Sequence, residues 1–481
     1  MRFATLIGPD LKDLLREAPE QIREVLDEVH PEDIAEIVQD LEPGEAAQII
    51  AHLPAELAAP IFERLERHRQ LEILPNLEVG VAARLIESMS ADDRADVVQE
   101  LEPEFKSRLL ALLKPEQARD VRELAKYPEN TAGGLMTTDY ISVRESTTVR
   151  ATIEEIRKIG RDAETVYYVY VLRSAESMVP PSADALASAS SETPGSYRKL
   201  LGVASLRDLL LAEATQLISE VMTENVITVA PETDQEEVAR TIAKYDLSAV
   251  PVVDKFQRLL GVITFDDVID VLISEQTEDV QKLAGVEPVG EGYFDTGFWR
   301  YISARARWLI ALFIGELFTS SALARYEEAF KTVGTLVLFI PLVISSGGNS
   351  GSQSATLVIR AMAIGQIHDK DAGRVLFREF FQGIVLGLIL GGIGFVRAML
   401  WRPVVPHQIR IAVVISLTLV AVVMIGTVLG SGLPMLLRRM RFDPAVSSTP
   451  FIASLVDVFG IVAYFSIAKF VLGSVVPALA H

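Results

Sequence analysis

Charge divides this chain into two unlike parts. Residues 1–298 hold 57 acidic and 29 basic side chains, whereas residues 299–481 hold only 8 acidic and 16 basic ones. The first part carries a formal charge of −28 and the second +8, within a total of −20. One hydrophobic core cannot accommodate both. At 481 residues, with 49% apolar and 23% charged side chains, the chain has to resolve into separate domains, and the second part is apolar enough for lipid.

Crossing ~30 Å of hydrocarbon takes about 20 helical residues. Five segments beyond Arg300 meet that length, near 304–324, 333–360, 380–400, 409–436 and 449–476. Basic residues set the orientation. Arg300, Arg305 and Arg307 precede the first span. Arg360, Lys370, Arg374 and Arg378 follow the second, and Arg438, Arg439 and Arg441 follow the fourth. Arg325, Lys331, Arg402 and Arg410 lie on the other side. Ten against four places the N-terminus in the cytosol, and an odd number of spans places His481 outside. The start of the chain reaches Pro9-Asp10 before any apolar signal core forms, which agrees with a cytosolic N-terminus.

Two features of the spans exceed packing. Ser345 to Gln353 interrupts the second span with Gly347-Gly348-Asn349-Ser350-Gly351-Ser352-Gln353 after Pro341, a polarity tolerated at that depth only against protein or a wet cavity. Asp457 lies eight residues into the last span, where a carboxylate costs ~2.5–3.5 kcal/mol. A buried salt bridge or a protonated acid would satisfy it. Lys469, ~18 Å further along the axis, is too far to be its partner, so a role in an ion pathway is the stronger reading. Glu316 in the first span is also eligible for such a role, with headgroup contact or pairing with an arginine as the alternatives. Rows of glycine at four-residue spacing (Gly383, Gly387 and Gly391; Gly426 and Gly430) read as close helix packing.

In the acidic part, the excess of negative charge excludes nucleic acid as a partner, leaving a solubilising charge or a cation-binding surface. The absence of cysteine excludes thiolate metal sites and disulfides. His30 to Pro43 returns as Ser90 to Pro103 with seven of fourteen positions identical, so residues 1–130 are expected as stacked short helices forming a superhelix. A second repeat follows. Leu135-Met136-Thr137 is answered by Val221-Met222-Thr223, and Leu200-Leu201-Gly202-Val203 by Leu259-Leu260-Gly261-Val262. The first copy carries a Ser-, Ala- and Pro-rich insertion, 173–198, expected as a flexible surface segment. The second copy predicts strands at Val226–Val229, Ala249–Val253 and Leu259–Ile263, with helices from about Asp234 to Tyr245 and from Asp266.

Duplicated strand–helix units of this kind resemble a pair of CBS modules, which bind adenosine nucleotides or metal ions. Asp208 in Ser205-x-x-Asp208 and Asp267 in Thr264-x-x-Asp267 match the family's ribose-binding position. The alternative for both is capping of a helix N-terminus.

With the spans added, the whole chain resembles the MgtE family of magnesium channels. The stretch from Pro341 to Gln353, with its pore motif Gly348, Asn349, Gly351 and Gln353, is similar to the family's second-span signature. Asp443-Pro444-Ala445 followed by Leu455 to Gly460 is similar to its last-span signature. The implied architecture is multidomain: an α-helical superhelical N-domain (1–130), α/β tandem CBS modules (131–273), a connecting plug helix (274–299) and an all-α five-span transmembrane domain (300–481). The resemblance implies a homodimer in the cell (inner) membrane, not an enzyme, with its pore at the subunit interface and Asp457 at the ion site. It places Mg²⁺ sensors at Asp92 and Asp96, at Asp234, Glu236 and Asp246, and at Asp267, Asp270, Glu275, Glu278 and Asp279. Glu379 and Asp443 match acids facing the cytosolic pore mouth. ATP in the CBS modules is a further implied ligand. The expected behaviour is negative feedback, in which cytosolic Mg²⁺ neutralises the acidic lobes and closes the gate. A divalent transporter passing Mn²⁺, Co²⁺ or Ni²⁺, and a non-conducting membrane sensor of metal or nucleotide, stay open as alternatives.

Overall fold

Proline at the first helical turn lacks only an N–H that would go unpaired anyway, and Pro31, Pro43, Pro103 and Pro115 each open a helix here. The computed structural model describes residues 17, 21–26, 29–160, 163–173, 199–289, 293, 296–324, 326, 334–401 and 406–473. These form two compact units that meet between Ile273 and Ser274. Beyond Arg173, the insertion expected at 173–198 lies outside the described residues, as does His481.

The first unit begins with short helices: α1 (Ile22–Leu26), α2 (Pro31–Gln39), α3 (Pro43–His52), α4 (Ala55–Glu63), α5 (Arg67–Ile73), α6 (Val79–Glu87), α7 (Ala91–Glu100), α8 (Pro103–Leu110) and α9 (Pro115–Leu124). From α2 on, each packs on the second helix along the chain, which winds them into the expected superhelix. Ile34, Ile37 and Val38 of α2 share one core with Ile61 and Phe62 of α4. At one buried position the internal repeat exchanges an apolar side chain for a charged one. Arg94 stands where the first copy has Ile34, and its guanidinium donates to the carbonyls of Ile86 (3.0 Å) and Met89 (2.6 Å).

Two α/β modules follow. After α10 (Ala132–Leu135) come β1 (Ser142–Arg144), α11 (Val149–Ile159), β2 (Tyr168–Leu172), β3 (Leu200–Ser205), α12 (Leu206–Leu211) and α13 (Ile218–Val221). The second module has α14 (Gln235–Tyr245), β4 (Ala249–Val253) and β5 (Leu259–Thr264). The β2–β3 and β4–β5 pairs are both antiparallel, and both carry a register break one residue before the strand end, at Val171/Leu172 and Val252/Val253. Val226–Val229, expected as a strand, contributes only a single bridge between Val229 and Val252.

The repeated motifs pair crosswise. Thr137 of the first copy bridges Val262 of the second, and Thr223 of the second bridges Val203 of the first. Glycine is required beneath them. A Cβ on Gly261 would lie 2.9 Å from Met136, and one on Gly202 would lie 2.6 Å from Met222.

Helix α15 (Phe265–Leu283) begins before the unit boundary and continues past it. The connecting helix expected over 274–299 therefore starts earlier and stops sooner. It ends because Gly285 takes φ +71°, with its N–H donating to the Lys282 carbonyl at 2.9 Å. The spans are α16 (Phe298–Ala324), α17 (Ile340–Ala363, preceded by a 3₁₀ turn from Gly334), α18 (Ala372–Met399), α19 (Gln408–Arg439) and α20 (Thr449–Leu472). All five are long and apolar enough to cross a membrane, which makes this a multi-pass membrane protein.

Small residues set their spacing. A Cβ on Gly426 would meet the Gly347 carbonyl oxygen at 2.5 Å, and one on Gly387 would meet Val420 Cα at 2.6 Å. Glycine rows thus bring α17 and α18 onto α19 backbone to backbone.

Candidate ion pathway and cation-sensing faces

The polar stretch of the second span does not break its helix: α17 runs through Ser345–Gln353 without interruption. Ser346 turns back on the helix, donating to the Leu342 carbonyl at 2.7 Å, whereas Ser352 Oγ reaches across to the Thr449 carbonyl at 3.4 Å. The motif is split between faces. Gly351 sits in the packing seam, where a Cβ would meet Ile452 Cγ2 at 2.9 Å and the Gly426 oxygen at 3.1 Å. Gly348 faces α20, and a Cβ there would lie 4.0 Å from Asp457 Oδ1. Asn349 and Gln353, one turn apart, are exposed on the single chain, and Asn349 Nδ2 donates to Ser345 Oγ at 3.4 Å. Asn349 and Gln353 thus form an exposed polar stripe on α17, whose Gly348 faces the half-buried Asp457.

Glu316 accepts a 3.0 Å hydrogen bond from Ser454 Oγ, three residues before Asp457. Glu379 is buried between helices. Ser354 Oγ on α17 donates to its Oε2 at 2.6 Å, an anchor that draws the side chain inward.

In the first unit, α7 is packed directly on the second α/β module: Ala91 and Ala95 share a core with Val238, Ile242 and Val250. That contact carries Asp92 toward Asp267. Burial, and then the Asp267 carboxylate, push the Asp92 carboxyl well above the usual range; Oδ1 is shielded from solvent and has no hydrogen-bond partner. Burial raises Asp96 to about 7 despite the Arg67 guanidinium 3.2 Å away. Glu164 is pushed up to about 7 by burial and by Asp267, and Glu63 to about 7 by burial. Burial raises Asp267 to about 6 against its hydrogen bond from Thr264. Glu63, Asp93 and Glu164 belong to this face but were missed in the sequence, where only the identity of Asp33 with Asp93 across the repeat pointed to any of them.

The sign of the resulting pH dependence is definite. These carboxyls titrate near ~4 in an unfolded chain, so the folded face holds the extra protons, and its stability rises as pH falls through about 7 and 6. Without Mg²⁺, thermal unfolding of the purified protein should shift upward between about pH 8 and about pH 6. The further stabilisation by Mg²⁺ should shrink over the same interval, because protons hold the same oxygens. Equal or higher melting at the alkaline end without Mg²⁺ would contradict this.

The remaining sensor candidates are locally engaged. Asp234 caps α14, accepting from Glu236 N at 2.9 Å, while Glu236 is ion-paired with Arg240. Asp246 ends the same helix in the left-handed conformation, φ 51°. Asp208 accepts from Ser205 Oγ at 2.6 Å and Asp267 from Thr264 Oγ1 at 2.7 Å, the helix-capping arrangement. Asp246, Thr264, Asp266, Glu164 and Tyr167 border a cleft of about 550 Å³. Burial and Asp266 raise the Asp270 carboxyl. Glu275, Glu278 and Asp279 follow on α15. Lys282 Nζ pairs with Glu278 and, at 2.6 Å, with Asp443, so both acids face an ammonium. Among the described residues, no three carboxylate or imidazole side chains converge closely enough to hold a metal ion.

Family models match three stretches of the chain. The MgtE divalent cation transporter model covers residues 340–467, the MgtE intracellular N domain covers 29–130, and the CBS domain covers 218–274. The magnesium transporter MgtE of Thermus thermophilus is 38% identical over 473 residues, 98% of this chain and 99% of its own length. That of Enterococcus faecalis is 34% identical over 356 residues, 74% of this chain and 72% of its own. A crystal structure of the cytosolic domain of the Mg²⁺ channel MgtE in complex with ATP covers 55% of this chain and 99% of its own, at 36% identity and TM-score 0.48.

Proposed function

The chain belongs to the MgtE family of divalent cation transporters, and from that membership we propose that it is a Mg²⁺-selective channel of the cell membrane, closed from the cytosolic side by Mg²⁺ itself. The observation that carries the reading is Asp457 opposite Gly348, on a span that also exposes Asn349 and Gln353. That polar stripe cannot face lipid. A second copy of the chain, forming a homodimer, would cover it and bring two Asp457 carboxylates to one axis.

Mg²⁺ gives up its water reluctantly and usually binds through one or two carboxylates. An acid beside amide and backbone groups suits the hydrated ion, each carboxylate accepting hydrogen bonds from its water shell. The spans carry no cysteine, and no histidine lies within their helices, which disfavours Zn²⁺ or Cu²⁺. On the cytosolic side, carboxylates meeting in pairs fit an ion that retains most of its waters. Asp92 and Asp267 are the pair best placed to gain from it, being forced together without a counter-charge. The N-terminus and this sensing face lie in the cytosol, in agreement with the basic residues that flank the spans.

Specificity is tested by competition. In proteoliposomes, a tenfold excess of Mn²⁺, Co²⁺ or Ni²⁺ should leave Mg²⁺ flux within about twofold of its value, whereas block by any of them, with the competing ion carried through, would make this a broader divalent transporter. The ~550 Å³ cleft by Asp246 and Thr264 is of the size that accepts a mononucleotide, which supports ATP as a second ligand.

A further inference from the structure

We propose that Lys282 is a built-in cation locking the end of the connecting helix to the start of the last span, so that this junction is held by the chain's own ammonium and not by a divalent ion. The inference rests on the gated-channel reading and departs from the resemblance, which makes Glu278 and Asp443 metal ligands. Lys282 Nζ lies 2.6 Å from Asp443 Oδ2 and is paired with Glu278 one turn earlier on α15. Asp443 is held in place from its other oxygen, Oδ1 accepting from Ala445 N at 2.8 Å. The carboxylates thus have a counter-charge already in hydrogen-bond contact, and a divalent ion could enter only by expelling it.

Two further contacts tie the same junction. Thr449 Oγ1 donates to the Leu283 carbonyl at 3.1 Å, and Trp308 Nε1 donates to Ser448 Oγ at 3.0 Å. Ser448 caps α20 and Thr449 is its first residue, so the last carbonyl of α15 is bonded to the helix that bears Asp457. Gly285 permits this approach, because a Cβ there would strike the Trp308 ring. A tethered ammonium has no concentration dependence, whereas a bound ion leaves when Mg²⁺ falls. The division of labour follows: acids of the first unit and Asp279 of α15 sense Mg²⁺, and Lys282 ties α15 to the start of the last span at every Mg²⁺ level.

The test compares Lys282→Met, Lys282→Arg and Asp443→Asn in the full chain. Flux through proteoliposomes is read as internal Mg²⁺ is raised. Lys282→Met should raise the half-inhibitory Mg²⁺ about tenfold with open-state flux unchanged, since a partly buried carboxylate pair is left without its cation. Lys282→Arg should retain closure, and Asp443→Asn combined with Lys282→Met should shift no further than either alone. Closure of Lys282→Met at the unmodified concentration, or additive shifts, would overturn the proposal. A second readout is independent of flux. The chain has no cysteine, so spin labels at Val280→Cys and Phe442→Cys, both exposed positions, report the junction directly. Their distance distribution should be narrow with and without Mg²⁺ in the parent and broad in Lys282→Met; a narrow distribution in that variant would overturn the proposal. If the parent channel ignores internal Mg²⁺, the gating reading fails while the labels still decide the lock.

Discussion

Replacing Asp457 by Ala should reduce Mg²⁺ flux at least about a hundredfold while leaving the protein folded. Its charge is the reason for the size of the effect. A unit charge ~4 Å from another contributes ~4 kcal/mol at an effective dielectric of ~20, and each ~1.4 kcal/mol is a factor of ten. A divalent ion between two such carboxylates loses more than that when both are removed. Folding should tolerate the change, because among the described residues no hydrogen bond or ion pair depends on the Asp457 side chain, while the helix seam beside it is built from Gly347, Gly351 and Gly426. Asp457→Asn separates charge from size and should fall nearly as far. Gly348→Ala adds a methyl group whose nearest neighbours lie at 3.4 Å, so it fits, and it should lower flux only modestly by crowding the acid. Intact flux after Asp457→Ala would mean that ions take another route, or that the protein is a sensor without a pore.

How far these sites could be read from sequence depended on whether the determining contacts were local. Apolar runs and basic flanks located the five spans to within a few residues, except that α16 and α18 extend past their apolar windows into basic turns. The duplicated module was legible down to its glycines, because Met136 and Met222 need space in the same place twice. Contacts between distant segments were not. Nothing at fixed spacing tells that Ser354 draws Glu379 into the bundle, or that Lys282 stands between Glu278 and Asp443, which is 161 residues away. Glu164 follows a helix with no motif around it, and only the fold brings it beside Asp267. The connecting helix ends at Leu283, short of 299, because Gly285 takes a positive φ.

The second large effect is loss of gating. Moving a gate from 1:99 to 99:1 takes ~5.5 kcal/mol of differential binding, and one site at tenfold its dissociation constant supplies ~1.4 kcal/mol. About four such sites are needed, so disabling two halves the driving energy. Asp267→Ala with Asp279→Ala removes one acid from the face that meets Asp92 and one from α15, leaving Asp457 untouched. The ratio of flux at low to flux at high internal Mg²⁺ should then fall by roughly a hundredfold, as ~2.8 kcal/mol of differential binding is lost. The ratio is the proper readout. Removing a carboxylate also relieves repulsion in the Mg²⁺-free state, which shifts both limits but cannot restore their difference.

The measurement that bears most directly on gating by the chain's own acids is therefore Mg²⁺ flux into proteoliposomes as internal Mg²⁺ is raised, for the parent chain and for Asp267→Ala with Asp279→Ala. The parent should shut steeply and the double variant should close only to about half across the same range. Identical inhibition curves for the two would contradict a gate held by these carboxylates.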